Sequence, residues 1–188
     1  MNSMVKIGTI LFAFSAIAAG LLAGTNQMTA PKIAVLNEKA NNEARMQVLP
    51  EAKEFKKVEE GQYKSAGAAT VREVFEGSNG SEKAGYTIKA APSGYGGEVE
   101  ITIGISKDGK ISGVSIGNNS ETPGLGAKSA DPAFNGQYKG KAAKPIEVIK
   151  AGNPADNQIK AISGATITSK AVTSGVNDAI KVFDTLNK

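Results

Sequence analysis

The chain has 188 residues, of which 40% are hydrophobic and 5% aromatic, and its 22 basic and 18 acidic side chains give a net charge of +4. This charge is small and spread along the chain, and no basic run carries interleaved aromatic residues, so we predict no nucleic-acid binding. The absence of cysteine and histidine excludes disulfides, thiolate or imidazole metal sites and histidine-dependent catalysis, so any redox chemistry needs a cofactor.

The N-terminus carries an apolar segment long enough to cross a membrane. Ile7 to Pro31 has no charged residue and is bracketed by Lys6 and Lys32, and such a stretch spans the roughly 30 Å hydrocarbon core as a helix. A cleaved signal peptide is the alternative, because small residues lie at Ala18–Gly20 and Ala23-Gly24. We favour an uncleaved anchor, because the run is longer than a usual signal core and no Ala-x-Ala site ends it. The flanking charges favour a single-pass protein of the cytoplasmic membrane with its C-terminal domain on the extracytoplasmic side.

A helical connector is predicted between the membrane segment and the domain. Asn37 to Val48 places apolar residues among charges at helical spacing and ends before Pro50. Glu51 to Glu60 is dense in charge, so we predict that it lies on the surface. The predicted segments are a cytoplasmic N-terminus at 1–6, a transmembrane helix at 7–31, a helical connector at 32–60 and one extracytoplasmic domain at 61–188.

Alternating apolar residues predict β-strands in the first half of the domain. One hairpin is expected from Ala69–Phe75 and Gly85–Ala90, which are separated by a turn rich in glycine and serine. The clearest strands are Val99–Ile105 and Ile111–Ile116. They are joined through an Asp-Gly turn, which is a strong hairpin signal between alternating runs.

The last part of the chain predicts a helix that covers this sheet. From Lys170 to Leu186 apolar residues recur at spacings of three or four, with polar residues between them. A short strand is also predicted within Pro145–Ile149, after a basic, irregular stretch at Gly136–Lys144. The expected fold is therefore α+β, with one N-terminal transmembrane helix followed by a single domain that has an antiparallel β-sheet covered by helices.

A hydroxyl-rich run, Ser163-Gly164-Ala165-Thr166-Ile167-Thr168-Ser169, lies directly before the C-terminal helix. Free N–H groups and the positive end of the helix dipole attract anions there, and Gly164 with Ala165 leaves room for a phosphate near the backbone. Thr166 would lie where a phosphate could be held. The alternative is that Thr166, Thr168 and Ser169 merely cap the helix, because hydroxyls are common at helix starts.

Two glycine-containing loops are further candidates. Pro92-Ser93-Gly94-Tyr95-Gly96-Gly97 permits close approach of a ligand, and Tyr95 could lie against a flat ring, although a simple inter-strand loop is the alternative. In Glu121-Thr122-Pro123-Gly124-Leu125-Gly126 the Pro-Gly pair makes a tight turn, and Glu121 and Thr122 offer an acceptor and a donor. The chemistry of this second loop by itself indicates a turn.

These motifs together resemble the FMN-binding domain family. The run from Ser163 to Ser169 resembles its flavinylation motif, and the run from Glu121 to Gly126 resembles a second hallmark of the family. The resemblance extends to Tyr95-Gly96-Gly97, to the strand pair and to Glu43–Pro50, so it covers the chain from the membrane helix to the C-terminus. The family includes the G subunit of the Rnf complex and the C subunit of the sodium-pumping NADH:quinone reductase, and the short length is more similar to the Rnf protein.

The resemblance implies a covalent flavoprotein. In the family FMN is joined through its phosphate to the hydroxyl of the motif threonine, which is Thr166 here, by a flavin transferase that uses FAD. The site residues implied are then Ser163, Gly164, Ala165, Ile167, Thr168 and Ser169 around the phosphate, with Glu121, Thr122, Leu125, Gly126 and Tyr95 bordering the flavin.

The resemblance also implies an electron carrier rather than a chain that turns over a substrate by itself. As part of an Rnf-type complex it would relay electrons between reduced ferredoxin and NAD⁺ while the complex moves Na⁺ or H⁺, with the other membrane and electron-transfer subunits as partners. One alternative is the corresponding subunit of the sodium-pumping reductase. The other is a non-redox, membrane-anchored module that binds a phosphate-bearing ligand loosely.

The chain departs from the family at one position of the flavinylation motif. The family often has an acidic residue three positions before the serine, where this chain has Lys160, and the nearest upstream acid is Asp156. We expect this departure to affect the efficiency of attachment more than its site.

Overall fold

The computed structural model describes residues 3–187. Its helices and strands are α1 (Ser3–Val48), β1 (Glu54–Lys57), α2 (Glu60–Tyr63), β2 (Val71–Asn79), β3 (Glu82–Ala90), β4 (Val99–Ser106), β5 (Ile111–Asn119), α3 (Pro132–Asn135), β6 (Glu147–Ile149), β7 (Gln158–Lys160) and α4 (Thr166–Leu186). Short 3-10 helices lie at Lys64–Ala66, Gly126–Ala130 and Gly136–Tyr138. The predicted α+β class, with an apolar N-terminal helix and an antiparallel sheet, is confirmed.

Helix α1 contains the apolar segment and continues through Pro31 to Val48 without a break. The sequence predicted a separate connector helix from Asn37, but these residues belong to α1. An interior proline costs about 3 kcal/mol in water, yet it is tolerated in membrane helices. An 18-residue window of α1 has a mean hydropathy of 2.0, and none of it is buried. By length and composition α1 can therefore cross a membrane, which indicates membrane anchoring.

The residues after Asn42 form a compact unit, Glu43–Lys188, built on a five-stranded sheet. Each strand from β1 to β5 pairs antiparallel with its neighbour in sequence, so both predicted hairpins are confirmed. The first hairpin turn is shorter than predicted, because β2 continues to Asn79 and only Gly80 and Ser81 separate it from β3. Strand β1 lies in the charge-dense stretch that was predicted only as surface, and it is a mostly exposed edge strand.

One face of the sheet packs against α4. Ile101, Ile103 and Ile105 alternate along β4, are at most 1% exposed, and lie in the same core cluster as Val172 of α4. A Cβ at Gly175 of α4 would lie only 2.4 Å from Ile101 Cδ1, so the helix approaches the sheet closely there. Burial of each such side chain stabilises the fold by about 1.5–3 kcal/mol. The prediction that the C-terminal helix covers the sheet is confirmed.

The opposite face of the sheet is covered by the last turn of α1 and the residues that follow it. A Cβ at Gly104 would lie 2.2 Å from the Val48 carbonyl oxygen, and one at Gly77 would lie 2.7 Å from Leu49 Cδ2. The Ser112 hydroxyl donates a hydrogen bond of 2.5 Å to the same Val48 carbonyl. Glycine at these positions therefore lets the end of α1 lie directly on the strands.

A short parallel pair, β6 and β7, leads into α4. Strand β6 confirms the strand predicted within Pro145–Ile149. The Asn177 side chain of α4 accepts a hydrogen bond from Ile146 N–H (2.8 Å) and donates one to the Ile146 carbonyl (2.9 Å). These two bonds anchor the residue before β6 to α4. Strand β7 ends five residues before Ala165, the N-cap of that helix.

A buried carboxylate on α4 should make the stability of the domain depend on pH. Asp178 accepts hydrogen bonds from Thr70 N–H (3.2 Å), the Thr70 hydroxyl (2.8 Å) and Lys181 Nζ (2.7 Å). Burial raises its pKa, but these hydrogen bonds outweigh it, so the pKa lies below the ordinary value of 3.8. The contribution of the ionised group is therefore fully present above its unfolded pKa and is lost as the pH falls through the lower folded pKa.

We expect Asp178→Asn to destabilise the domain by about 1–3 kcal/mol at pH 7, because hydrogen bonds to a charged group are lost. Thermal unfolding by circular dichroism, repeated between pH 7 and values below 3.8, measures this. The variant and the parent should converge in acid, and a difference that is constant with pH would contradict the assignment.

Candidate functional site

One cleft of about 550 Å³ gathers ten of the twelve predicted site residues. Three segments that are distant in sequence meet there: the loop after β3, the loop after β5 and the first turn of α4. Its size is typical of a small-molecule site. The lining residues are Tyr95, Glu121, Thr122, Leu125, Gly126, Gly164, Ala165, Thr166, Ile167 and Thr168.

Helix α4 begins four residues earlier than predicted, at Thr166 rather than Lys170. Ala165 is its N-cap, and no side chain caps it. The first intrahelical bond runs from Ser169 N–H to the Ala165 carbonyl (3.0 Å), so the N–H groups of Thr166, Ile167 and Thr168 have no acceptor within the helix. The cleft therefore lies at a helix N-terminus that offers free donors and the positive end of the dipole.

The four hydroxyls of the run from Ser163 to Ser169 have different environments. Ser169 is fully buried; its hydroxyl donates to the Ala165 carbonyl (2.9 Å) and accepts from Ile162 N–H (3.0 Å). Thr168 is buried and donates to Glu121. Ser163 is exposed and does not line the cleft. Thr166 is half-buried and lines the cleft, and among residues 3–187 no group accepts a hydrogen bond from its hydroxyl.

None of these hydroxyls accepts a hydrogen bond from a free N–H group in the first turn of α4. The alternative that they merely cap the helix is therefore wrong. The Ser169 hydroxyl holds the turn before the helix, and the Ser169 N–H already donates to Ala165. Neither group is available to an anion in the cleft. Of the predicted phosphate contacts, Ser163 and Ser169 are thus the two that the structure does not bring to the cleft.

Glu121 joins the three segments of the cleft. Its Oε1 accepts hydrogen bonds from the N–H groups of Tyr95 (2.8 Å) and Gly96 (3.0 Å), and its Oε2 accepts one from the Thr168 hydroxyl (2.5 Å). Glu121 N–H in turn donates to Asn119 Oδ1 (3.2 Å). Burial raises the pKa of Glu121, but the hydrogen bonds from Thr168, Gly96 and Tyr95 outweigh it and leave that pKa below its ordinary value.

The glycines of the two loops make room for this carboxylate rather than only for a ligand. A Cβ at Gly94 would lie 2.3 Å from Glu121 Oε1, and one at Gly126 would lie 2.1 Å from Oε2. A Cβ at Gly96 would lie 2.1 Å from the Ser120 carbonyl oxygen. Sequence reasoning assigned the glycines of the first loop to the approach of a ligand and missed their packing on the second loop.

The rim of the cleft is apolar and exposed. Tyr95 is 73% exposed, Leu125 43% and Ile167 55%, although each is a large hydrophobic side chain. Together they offer exposed apolar surface to a ligand in the cleft. Gly164, with a φ of +75°, turns the chain just before α4 and lies within reach of Leu125.

Lys160, the departure from the flavinylation motif, lies at the end of β7 outside this cleft. Its side chain is exposed, its N–H donates to Gln137 Oε1 (2.7 Å), and its carbonyl accepts from Gln137 Nε2 (3.2 Å). It lines a separate cavity with Lys128 and Asp131. Its effect on attachment stays a prediction.

Comparisons with known proteins agree with this arrangement. The FMN-binding domain family matches residues 94–181, which include the whole cleft, and the RnfG N-terminal region family matches residues 1–48, which include α1. The fold is similar to that of the C subunit of the Na(+)-translocating NADH-quinone reductase from Parabacteroides distasonis, with a TM-score of 0.60 over 81% of this chain and 94% of the other. That pair is 24% identical, so the likeness concerns the fold alone.

Two relatives are matched along almost their whole length. The chain is 45% identical to the G subunit of the Na(+)-translocating ferredoxin:NAD(+) oxidoreductase complex of Acetobacterium woodii, over 97% of this chain and 93% of the relative. It is 33% identical to the G subunit of the proton-translocating ferredoxin:NAD(+) oxidoreductase complex of Clostridium ljungdahlii, over 98% and 94%. With both ends of the chain matched in this way, the chain belongs to the RnfG family, the G subunits of ion-translocating oxidoreductase complexes.

Proposed function

We propose that this chain is a membrane-anchored electron carrier with FMN covalently bound to Thr166, and that it acts in an Rnf-type complex that couples electron transfer between ferredoxin and NAD⁺ to Na⁺ or H⁺ translocation. The observation that carries the proposal is the position of Thr166. Its hydroxyl has no partner among residues 3–187, and it lies in the cleft at the N-terminus of α4. The names of the matched relatives support the reaction of the complex.

The residues of the cleft fit FMN at both of its ends. The free N–H groups of Thr166, Ile167 and Thr168 and the dipole of a 21-residue helix suit a phosphate. The exposed apolar side chains of Tyr95 and Leu125 suit an aromatic ring system. The volume of about 550 Å³ lies within the usual range for cofactor sites.

The attachment is a phosphoryl transfer to the Thr166 hydroxyl. The oxygen of Thr166 forms a bond to the phosphorus of the FMN half of FAD, the bond from that phosphorus to the AMP half breaks, and the hydroxyl proton is released. AMP is the leaving group, so the protein gains one FMN less one water. Among residues 3–187, the acidic side chain that lines the cleft is Glu121, and its carboxylate is engaged by Thr168, Tyr95 and Gly96. We propose that a flavin transferase acts as the maturation partner and catalyses this transfer.

Bound FMN would supply the ability to accept and pass on electrons, which this chain, without cysteine for disulfide chemistry or iron–sulfur ligation, would obtain from a cofactor. The residues of this chain position the group. The N–H groups of Thr166 to Thr168 would stabilise the phosphate charge that remains after attachment. The apolar side chains of Tyr95, Leu125 and Ile167 would contact the ring system.

The membrane side of the domain is part of the same proposal. The apolar segment of α1 follows Lys6 and would cross the membrane once, and the small excess of flanking charge favours a cytoplasmic N-terminus. The flavin domain then lies on the extracytoplasmic side. The match of the RnfG N-terminal region to residues 1–48 supports an anchor that is retained rather than cleaved.

Mass spectrometry of denatured protein, expressed with and without a flavin transferase, tests the proposal. Cleavage after Lys160 and Lys170 releases residues 161–170 as one peptide. We expect this peptide to gain one FMN less one water, and fragmentation should locate the increment on Thr166. A peptide that stays unmodified in the presence of the transferase would contradict the proposal. Flavin that is released by denaturant and acid would instead indicate a loosely bound ligand.

A further inference from the structure

The carboxylate of Glu121 is the buried charge nearest to the proposed flavin site in the described part of the chain. Glu121 is 6% exposed, lines the cleft and accepts three hydrogen bonds. The donors belong to two other segments: Tyr95 and Gly96 to the loop after β3, and Thr168 to the first turn of α4. Removing this side chain would therefore remove the three hydrogen bonds that join these segments through Glu121.

The surroundings of Glu121 are built to hold hydrogen-bond acceptors at this point. The N–H groups of Tyr95 and Gly96 can only donate, so Oε1 must act as an acceptor. The absence of a Cβ at Gly94 and Gly126 lets both carboxylate oxygens lie against the backbone, where any side chain would collide with them. Within residues 3–187 no Lys or Arg side chain pairs with Glu121, so its charge is balanced only by hydrogen bonds.

We propose that Glu121 is a positioning residue of the flavin site, whose ionised carboxylate ties the Tyr95 loop to the start of α4 and lowers the reduction potential of the flavin held in the cleft. This inference rests on the proposed function for its second half. The first half concerns the protein alone and can be tested without flavin.

The effect on the potential follows from charge. Reduction adds electron density to the flavin, and a fixed negative charge beside it makes that addition less favourable. The effect persists where the charge is buried and unpaired with a cation, because little solvent screens it. The same carboxylate accepts the hydroxyl of Thr168 in the first turn of α4, so the resident charge is held at the element that starts the proposed phosphate site.

Glu121→Gln tests the charge with little change of shape. The amide oxygen can still accept from Tyr95 and Gly96, and the amide N–H can donate to the Thr168 hydroxyl. We expect the flavinylated, detergent-solubilised variant to show a midpoint potential more positive than that of the parent, measured by spectroelectrochemistry. An unchanged potential would overturn the electrostatic half of the proposal.

Glu98→Gln is the matched control. Glu98 lies two residues after Gly96, outside the cleft, and its half-exposed side chain pairs with Arg72 at 2.7 Å. Loss of this solvent-screened charge should leave the potential within error of that of the parent. An equal shift in both variants would mean that the potential reports net charge and would overturn the assignment to Glu121.

Hydrogen exchange in flavin-free protein, expressed without a transferase, tests the positioning role of Glu121 separately from its effect on the flavin. The amides of Tyr95 and Gly96 should exchange faster in Glu121→Ala than in the parent, and at a similar rate in Glu121→Gln. Unchanged exchange in Glu121→Ala would overturn the positioning role. If the parent acquires no flavin with a transferase present, the proposed function and the effect on potential both fail. The exchange result would still decide whether Glu121 ties the Tyr95 loop to the start of α4.

Discussion

Thr166→Ala is expected to abolish covalent flavin in this protein completely. The hydroxyl of Thr166 is the one in its run that both lines the cleft and lacks a hydrogen-bond acceptor among residues 3–187. Thr168 and Ser169 are at most 1% exposed and are engaged by Glu121 and by the Ala165 carbonyl. Thr168 and Ser169 could take over only by breaking these bonds. Fluorescence of the denatured protein on a gel, with intact mass, measures the loss.

Two control variants show whether flavin is lost because the hydroxyl is missing or because the site is damaged. Thr166→Ser keeps a hydroxyl at the first position of α4, so covalent flavin should persist. Ser163→Ala removes the exposed hydroxyl outside the cleft and should leave attachment unchanged. Alanine is a good helix former, so Thr166→Ala should fold normally. Covalent flavin retained in Thr166→Ala would show that another residue is the acceptor.

Gly104→Ala is expected to cause a large loss of stability, because the added methyl group would collide with backbone. The new Cβ would lie 2.2 Å from the Val48 carbonyl oxygen and 2.6 Å from Ser112 Oγ. The obstacle is backbone that already accepts the Ser112 hydroxyl, so a rotamer change cannot relieve it. Overpacking of this kind costs about 3 kcal/mol, which corresponds to a fall in Tm of roughly 6–12 °C for a chain of this size.

Gly117→Ala on the neighbouring strand is the matched control. Its Cβ would make ordinary contact with Glu100 Cβ at 3.5 Å, so the change in stability should stay within about 0.5 kcal/mol. Thermal unfolding of both detergent-solubilised variants by circular dichroism makes the comparison. Equal Tm values for the two variants would mean that the end of α1 does not rest on the strands at Gly104.

The spacing of apolar residues was sufficient to predict the strands and helices in which buried and exposed positions alternate regularly along the chain. The alternation in Val99–Ile105 and the Asp-Gly turn after it predicted β4 and β5 correctly, because one face of a strand is buried and the turn needs a positive φ, which Gly109 adopts at +70°. The spacing of Val172, Val176 and Ile180 predicted the helix over the sheet for the same reason. The predicted start of α4 was wrong by four residues: the helix begins at Thr166, since Glu121 from another segment holds Thr168 and the Ser169 N–H already bonds to the Ala165 carbonyl.

The roles of several glycines could not be predicted from the residues next to them in sequence. Gly94 and Gly126 are about thirty residues apart, and no local pattern relates them to a carboxylate at position 121. Similarly, Gly104 alternates with isoleucines as an ordinary strand residue, yet it is glycine because the backbone at Val48 lies against it. Each of these contacts joins segments distant in sequence, so each depends on how the sheet and helices pack.

The sequence by itself therefore determined the class of fold, the apolar N-terminal helix and the residue types suited to a phosphate at a helix start, because all three follow from composition and short-range spacing. Only the tertiary structure decided which of four hydroxyls is available, by burying Ser169 and Thr168 and leaving Thr166 in the cleft. It also brought Glu121 together with its three donors, because the loop after β3 and the first turn of α4, which supply them, meet only when α4 packs on the sheet.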